Sequence, residues 1–183
     1  MKLVVLDRDG VINHDSDEYI KSPEEWHPID GSLSAISRLN HAGYRVIVAT
    51  NQSGIGRGFY SIDTLNKIHF KMHRMLSDFG GHIDSVFFCP HTPADGCSCR
   101  KPKPGMLLSI ADRLSISLDH VPVVGDSLRD LQAATAVGAF PVLVKTGKGR
   151  KTLQHADLDK TIPVYDDLAS YTDYLLSVDK LTN

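Results

Sequence analysis

Cysteine is scarce in this sequence of 183 residues: there are three, Cys89, Cys97 and Cys99, all within one eleven-residue stretch. An odd, clustered set is a poor disulfide framework, so the thiols are expected to serve a metal in a cytoplasmic protein. An excess of charge of one sign is also lacking, with 20 Lys plus Arg against 22 Asp plus Glu. That leaves no broad basic field to hold a nucleic-acid backbone, and no nucleic-acid partner is expected. A few focused cations are still enough for a small anionic substrate. Long apolar runs are missing too. The N-terminus, MKLVVLDRDG, has an apolar run that meets an acid at Asp7, too short for a signal-peptide core or a membrane span. No repeat, low-complexity segment or flexible linker divides the chain, so a single domain over residues 1–183, acting as a monomer, is expected. Hydrophobic residues at 42% and charged residues at 23% lie near globular averages, which argues for a folded chain.

Five short runs rich in β-branched residues read as strands: 2–6, 44–49, 85–88, 121–124 and 140–144. They are apolar on both faces, as parallel strands covered by helices must be. Between them, apolar residues recur at spacings of three and four. Leu33, Ile36 and Leu39 form one such set, Leu65, Ile68, Met72, Met75, Leu76 and Phe79 a second, and Leu107, Leu108, Ala111 and Leu114 a third. Ser61 is placed to cap the second helix, and Pro104 to sit just inside the third. Residues 146–163 read as a polar excursion before a last helix near 166–177. The alternation predicts an α/β fold, a Rossmann-like doubly wound parallel sheet. Ligands bind such sheets at the carboxyl ends of the strands. Asp7 and Asp9, Thr50 and Asn51, Cys89 and His91, and Gly125 and Asp126 stand there.

Asp7 and Asp9 leave the first strand two residues apart, so both can face one pocket. A phosphate monoester is doubly negative and inert. A carboxylate attacking it needs a cation, and magnesium on oxygen ligands supplies one, with Asp126 as a further donor. Asp9 fits general acid and base, while Thr50 and Lys101 can stabilise charge on the transferring phosphoryl oxygens. Taken singly, each has a plainer alternative: turn carboxylates for Asp7 and Asp9, a helix cap for Asp126, a turn hydroxyl for Thr50, solvated charges for Lys101 and Asp130.

Together, DRDGVIN at 7–13, Thr50 after its strand, Lys101 and GDSLRD at 125–130 resemble the haloacid dehalogenase superfamily of phosphatases. The resemblance implies a nucleophile at Asp7, an acid/base at Asp9, phosphate stabilisation by Thr50 and Lys101, and magnesium held by Asp7, Asp9 and Asp126. Within the superfamily, ATNQSGIGRG at 49–58 and CRKPKPGM at 99–106 are similar to the heptose bisphosphate phosphatases and to the histidinol-phosphatases. The heptose family is the closer of the two, and a C7 sugar phosphate is the implied substrate. That family implies substrate contacts by Asp15, Ser16, Asp17, Glu18 and Tyr19, by Thr50, Asn51, Gln52 and Ser53, and by Arg100 and Lys101. Val11 and Ser127 depart from the pattern, standing where relatives carry Thr and Lys. No large insertion separates the motifs, so a capless enzyme is expected. A 3′-phosphatase of nucleic-acid repair shares the Asp-x-Asp start but needs a basic stripe. A fold that has lost turnover is a further alternative.

Cys89, His91, Cys97 and Cys99 supply three thiolates and one imidazole, enough for a closed tetrahedral zinc site in a loop leading to Arg100 and Lys101. Such zinc is structural and magnesium is the catalytic ion. His69 and His73, at i and i+4, read as a helix surface pair, and Arg57 either as a group that can meet a distal phosphate or as a plain solvated loop Arg.

Overall fold

The computed structural model describes residues 2–182. Six strands alternate with helices along the chain: β1 (Leu3–Leu6), α1 (Ser32–His41), β2 (Arg45–Asn51), α2 (Ile62–Asp78), β3 (Ser85–Cys89), α3 (Gly105–Leu114), β4 (Pro122–Gly125), α4 (Leu128–Thr135), β5 (Phe140–Val144), α5 (Gly149–Thr152), β6 (Val164–Tyr165) and α6 (Leu168–Thr182). The strands form one parallel sheet in the order β3-β2-β1-β4-β5-β6, with the first strand inside and the chain winding out to both edges. This is the doubly wound α/β architecture that the alternation predicts.

Strand alternation sends successive side chains to opposite faces. Val4, Leu6, Val46, Val48, Val124 and Val142 join residues of α1, α2 and α6 in one core layer. Leu3, Val5, Ile47, Ala49 and Val123 join residues of α3 and α4 in the other. The register pairs Leu6 with Val48 on one side and Val124 on the other. Whatever follows those residues must therefore emerge side by side at one end of the sheet.

Ser61 caps α2 as expected, its hydroxyl accepting from the Thr64 N–H at 3.1 Å. Three details differ from the sequence expectation. Pro104 is the residue before α3 rather than its first. β3 is only partly covered because it is an edge strand. The polar excursion holds a four-residue helix, α5, and ends in β6, whose two residues are too short to register as a pattern. Between Asp9 and Thr50 lie only a short 3-10 turn, α1 and the start of β2, and between Thr50 and Lys101 only α2, β3 and another such turn, so no cap domain is inserted there.

Candidate active site

At the carboxyl end of the sheet, residues from five loops line a cleft of about 400 Å³. Asp7 follows β1, its N–H held by the Val124 carbonyl at 2.9 Å. Beside it, Asp126 follows β4 and Asp130 lies in the first turn of α4. One carboxylate oxygen from each of the three falls within 4.8 Å of the others. Two glycines make this approach feasible. A Cβ on Gly10 (φ +82°) would fall 2.0 Å from Asp126 Oδ2, and one on Gly147 (φ +55°) 2.1 Å from the same oxygen. Only glycine occupies such positions without displacing the acid.

The acids outnumber their cation. Lys101, buried at the floor, donates to the Ala49 carbonyl at 2.7 Å and pairs with Asp7 Oδ1 at 3.2 Å and Asp130 Oδ1 at 2.5 Å. Burial works against its charge, but Asp130 and Asp7 carry Lys101 up to about 12. Burial also pushes Asp7 well above the ordinary carboxylate range, Lys101 opposes this, and Asp130, Asp126 and Asp9 add to it. Asp126 is pushed up to about 7 by burial and by Asp130. Three buried carboxylates against one ammonium is an unbalanced charge, and a hard divalent cation on oxygen ligands fits it.

Asp9 has the opposite surroundings. Arg8, fully buried, grips it through Nε and Nη2 at 2.9–3.1 Å, while Asn13 Nδ2 donates at 2.8 Å and Gln52 Nε2 at 2.8 Å. Burial alone would raise this carboxyl, but Arg8 and these donors hold it below the usual range. Gln52 is aimed by Tyr60, whose hydroxyl donates to Oε1 at 2.6 Å, and also donates to Thr50 Oγ1 at 2.9 Å. The far side of Arg8 meets His69 Nε2 at 3.2 Å. Burial and Arg8 hold His69 down to about 3, so it is neutral and accepts.

The expected site residues are thus largely gathered, with corrections. Asp15, Ser16, Asp17, Tyr19, Thr50, Asn51, Gln52, Ser53, Arg57, Arg100 and Lys101 all line the cleft. Glu18 does not, because its loop turns it outward into solvent. The Asp9 carboxylate lies outside the cluster of three, and Asp130 joins Asp7 and Asp126 there, its carboxylate buried rather than solvated. Its position one turn beyond Asp126 was the signal. His69 is buried and only His73 is exposed, so the two are not a surface pair. Arg8 and Arg129 stand inside quoted motifs and Tyr60 outside them, but none was given a role; Arg129 lines the cleft with Arg57 and Arg100, and among the described residues Arg57, Arg100 and Arg129 have no carboxylate partner.

Next to the cleft, Cys89 Sγ lies 3.2 Å from Cys99 Sγ and 3.6 Å from Cys97 Sγ, and His91 Nδ1 lies 3.6 Å from Cys89 Sγ and 3.4 Å from Cys99 Sγ. A tetrahedron with zinc–sulfur bonds of about 2.3 Å has edges of about 3.8 Å, so the spacing suits one ion and far exceeds a disulfide bond. Four ligand atoms leave no open position. Lys101 follows Cys99 by two residues, and Asn51 fixes it by exchanging hydrogen bonds with the Lys101 backbone, both at 3.1 Å.

A HAD-hydrolase-like family model matches residues 98–171. The chain is 56% identical to D-glycero-β-D-manno-heptose-1,7-bisphosphate 7-phosphatase of Bordetella bronchiseptica, over 96% of this chain and 98% of that one. The chain belongs to the D-glycero-β-D-manno-heptose-1,7-bisphosphate 7-phosphatase family. Another member of that family, from Pseudomonas putida, is 55% identical over 93% of this chain and 97% of its own. The crystal structure of the B. bronchiseptica D,D-heptose 1,7-bisphosphate phosphatase, complexed with magnesium and phosphate, superposes with a TM-score of 0.95 at 55% identity. It covers 97% of this chain and 99% of that one. Membership of the heptose bisphosphate 7-phosphatase family makes this a HAD-type phosphatase fold whose cleft lies where the acids converge.

Proposed function

We propose that this chain hydrolyses the C7 phosphate of D-glycero-β-D-manno-heptose 1,7-bisphosphate through a phosphoryl group carried on Asp7. The observation that carries this reading is the placement of Asp7 in one buried cluster with Asp126 and Asp130, 3.2 Å from Lys101, in a chain so close to its heptose relatives. An oxygen of Asp7 attacks phosphorus as the bond to the C7 oxygen breaks. Asp9 gives its proton to that departing oxygen. The dianion beside it raises the proton affinity of Asp9 and offsets the hold of Arg8. Asp9 then takes a proton from water, whose oxygen attacks phosphorus and frees both phosphate and Asp7. Thr50 and Lys101 meet the equatorial oxygens throughout.

Asp7, Asp9 and Asp126, with Asp130 beside them, would hold magnesium, which supplies the positive charge that lets one anion approach another. Cys89, His91, Cys97 and Cys99 would hold zinc, which fixes the loop carrying Arg100 and Lys101. Arg57, Arg100 and Arg129, unmatched by carboxylates at the outer wall, suit the second phosphate of a bisphosphate. Residues 15–19, apart from Glu18, and Asn51 to Ser53 line the cleft and would meet the sugar. The chain acts as one domain and as a monomer. Its clustered thiols suit a reducing, cytoplasmic setting, and no helix among the described residues is long and apolar enough to cross a membrane.

Phosphate release from the heptose bisphosphate, its monophosphates and histidinol phosphate tests the proposal. The bisphosphate should give the highest kcat/KM, by a factor of ten or more over the others if the outer cations recognise the second phosphate; about 1.4 kcal/mol suffices for tenfold. Preference for histidinol phosphate would overturn it.

A further inference from the structure

Lys148 has no part in the steps above, yet it joins the two halves of the site. It stands just before α5, in the segment that the sequence presents only as a polar excursion, and it lines the cleft. Its backbone N–H donates to Asp126 Oδ2 at 2.7 Å. Its ammonium lies 3.2 Å from Asp15 Oδ2 and 3.6 Å from Asp17 Oδ1. One residue therefore touches a metal-capable acid with its main chain and the loop after β1 with its side chain.

The segment around it is firmly placed. Thr146 Oγ1 donates to the Gly10 carbonyl at 2.6 Å, and Thr152 Oγ1 to the Asp126 carbonyl at 2.8 Å. Gly149 N–H bonds the Thr146 carbonyl at 2.8 Å, and a Cβ on Gly149 would strike the Val144 carbonyl at 1.8 Å. Loop 15–19 is held mainly by local bonds, Tyr19 N–H to the Ser16 carbonyl and Glu18 N–H to Ser16 Oγ at 3.1 Å each and Lys21 Nζ to the Glu18 carbonyl at 2.5 Å, and by contact of the Tyr19 and Phe59 rings at 5.1 Å. Tyr19 also holds a left-handed backbone, φ 65°. The rigid partner in the Lys148 pairs is the lysine's own backbone, and the lighter one is the acidic loop.

Asp15 and Asp17 are acceptors only, and such carboxylates suit hydroxyl donors of a polyol. Left free on their loop they would sample many orientations. We infer that Lys148 is a positioning residue that aims Asp15 and Asp17 at the hydroxyl-bearing carbons next to the transferred phosphate, and so sets selectivity for polyol phosphates; this rests on the phosphatase reading above. A partly exposed ion pair adds little to stability. Its effect belongs in substrate binding, where holding a contacting group in the bound geometry lowers the ordering cost.

The test is a mutant cycle in steady-state kinetics, run with the heptose bisphosphate or with whichever polyol phosphate of the panel proves the better substrate. Lys148→Met should raise KM about tenfold while kcat moves much less, and Lys148→Arg should recover most of the loss. In a background carrying Asp15→Asn and Asp17→Asn, Lys148→Met should add almost nothing, because the groups it aims are already neutral. A full additional loss in that background would mean that Lys148 attracts the phosphate directly, and an unchanged KM in the single variant would mean that it positions nothing. Either result overturns the inference. A wild-type preference for another substrate would count against the heptose reading instead, leaving the cycle to judge Lys148 separately.

Discussion

Two clusters in this chain can each surround a divalent ion, and they are built in opposite ways. Asp7 lies more than a hundred residues in sequence from Asp126 and Asp130, and the three meet because β1 and β4 are neighbours in the sheet. Cys89, His91, Cys97 and Cys99 come from one loop and from the end of the edge strand, half exposed. The acid cluster inherits its geometry from the core. The loop around the thiols has hydrogen bonds of its own, such as those from Lys103 Nζ to the Gly96 and Cys97 carbonyls at 2.9 Å, but the ligand atoms themselves meet only through weak S–H contacts, so the ion is what ties them together. A hard cation on few oxygen ligands keeps positions open for substrate, whereas a closed sulfur and nitrogen shell serves only to hold.

That contrast can be broken most forcefully at Asp7. Asp7→Asn should lower kcat by at least about 10⁴-fold, as loss of a nucleophile does, with zinc content and fold unchanged. Phosphate release and elemental analysis read the two effects separately. Turnover close to wild type would remove Asp7 from the chemistry and the acid cluster from its role.

Asp130→Asn is the next largest. It neutralises one of three acids and strips Lys101 of its 2.5 Å partner. The magnesium concentration for half-maximal activity should rise about 10- to 100-fold, in the range seen when groups supporting a metal site are lost. An unchanged requirement together with a lower kcat would assign Asp130 to Lys101 alone.

Cys97→Ser examines the other side of the comparison. Zinc should be lost, Tm should fall by roughly 5–10 °C, and KM should rise as the segment leading to Arg100 and Lys101 loosens. Part of the Asp7 chemistry should survive. Retained Tm and KM in zinc-free protein would show that the loop needs no ion.

The same contrast explains what could be read in advance. The thiol cluster was visible because its spacing is local: four ligands fall within eleven residues. The sheet was visible because five of its six strands are β-branched runs, and strand ends were sound places to look for Asp7, Thr50 and Asp126. Asp130 and Lys101 were harder to weigh, since burial is a property of the assembled core and an isolated Asp or Lys is usually solvated. Nothing in DRDG says which way Arg8 turns, and Arg8 turns inward and holds the Asp9 carboxylate apart from the acid cluster. Lys148 was hidden for a related reason. A turn after a strand carries no period, and the hydrogen bonds from Thr146 and Thr152 that lock it span 136 and 26 residues.

The smallest effect sharpens the comparison from outside both clusters, at the buried Arg8–His69 contact behind Asp9. His69 Nε2 can accept from Arg8 only while the ring is neutral, and burial with the Arg8 charge takes its pKa from 6.5 to about 3. The unfolded chain binds a proton at His69 below about pH 6.5, but the folded chain resists it down to about pH 3. Wild-type stability therefore falls across that window as pH drops. Glutamine keeps an acceptor oxygen near the same place and does not titrate. In urea unfolding, the stability of His69→Gln relative to wild type should rise steadily from pH 7 to pH 4, whatever its offset at neutral pH. A difference that stays flat over that range would mean His69 is protonated in the folded protein, and the grip of Arg8 on Asp9 would then need a different explanation.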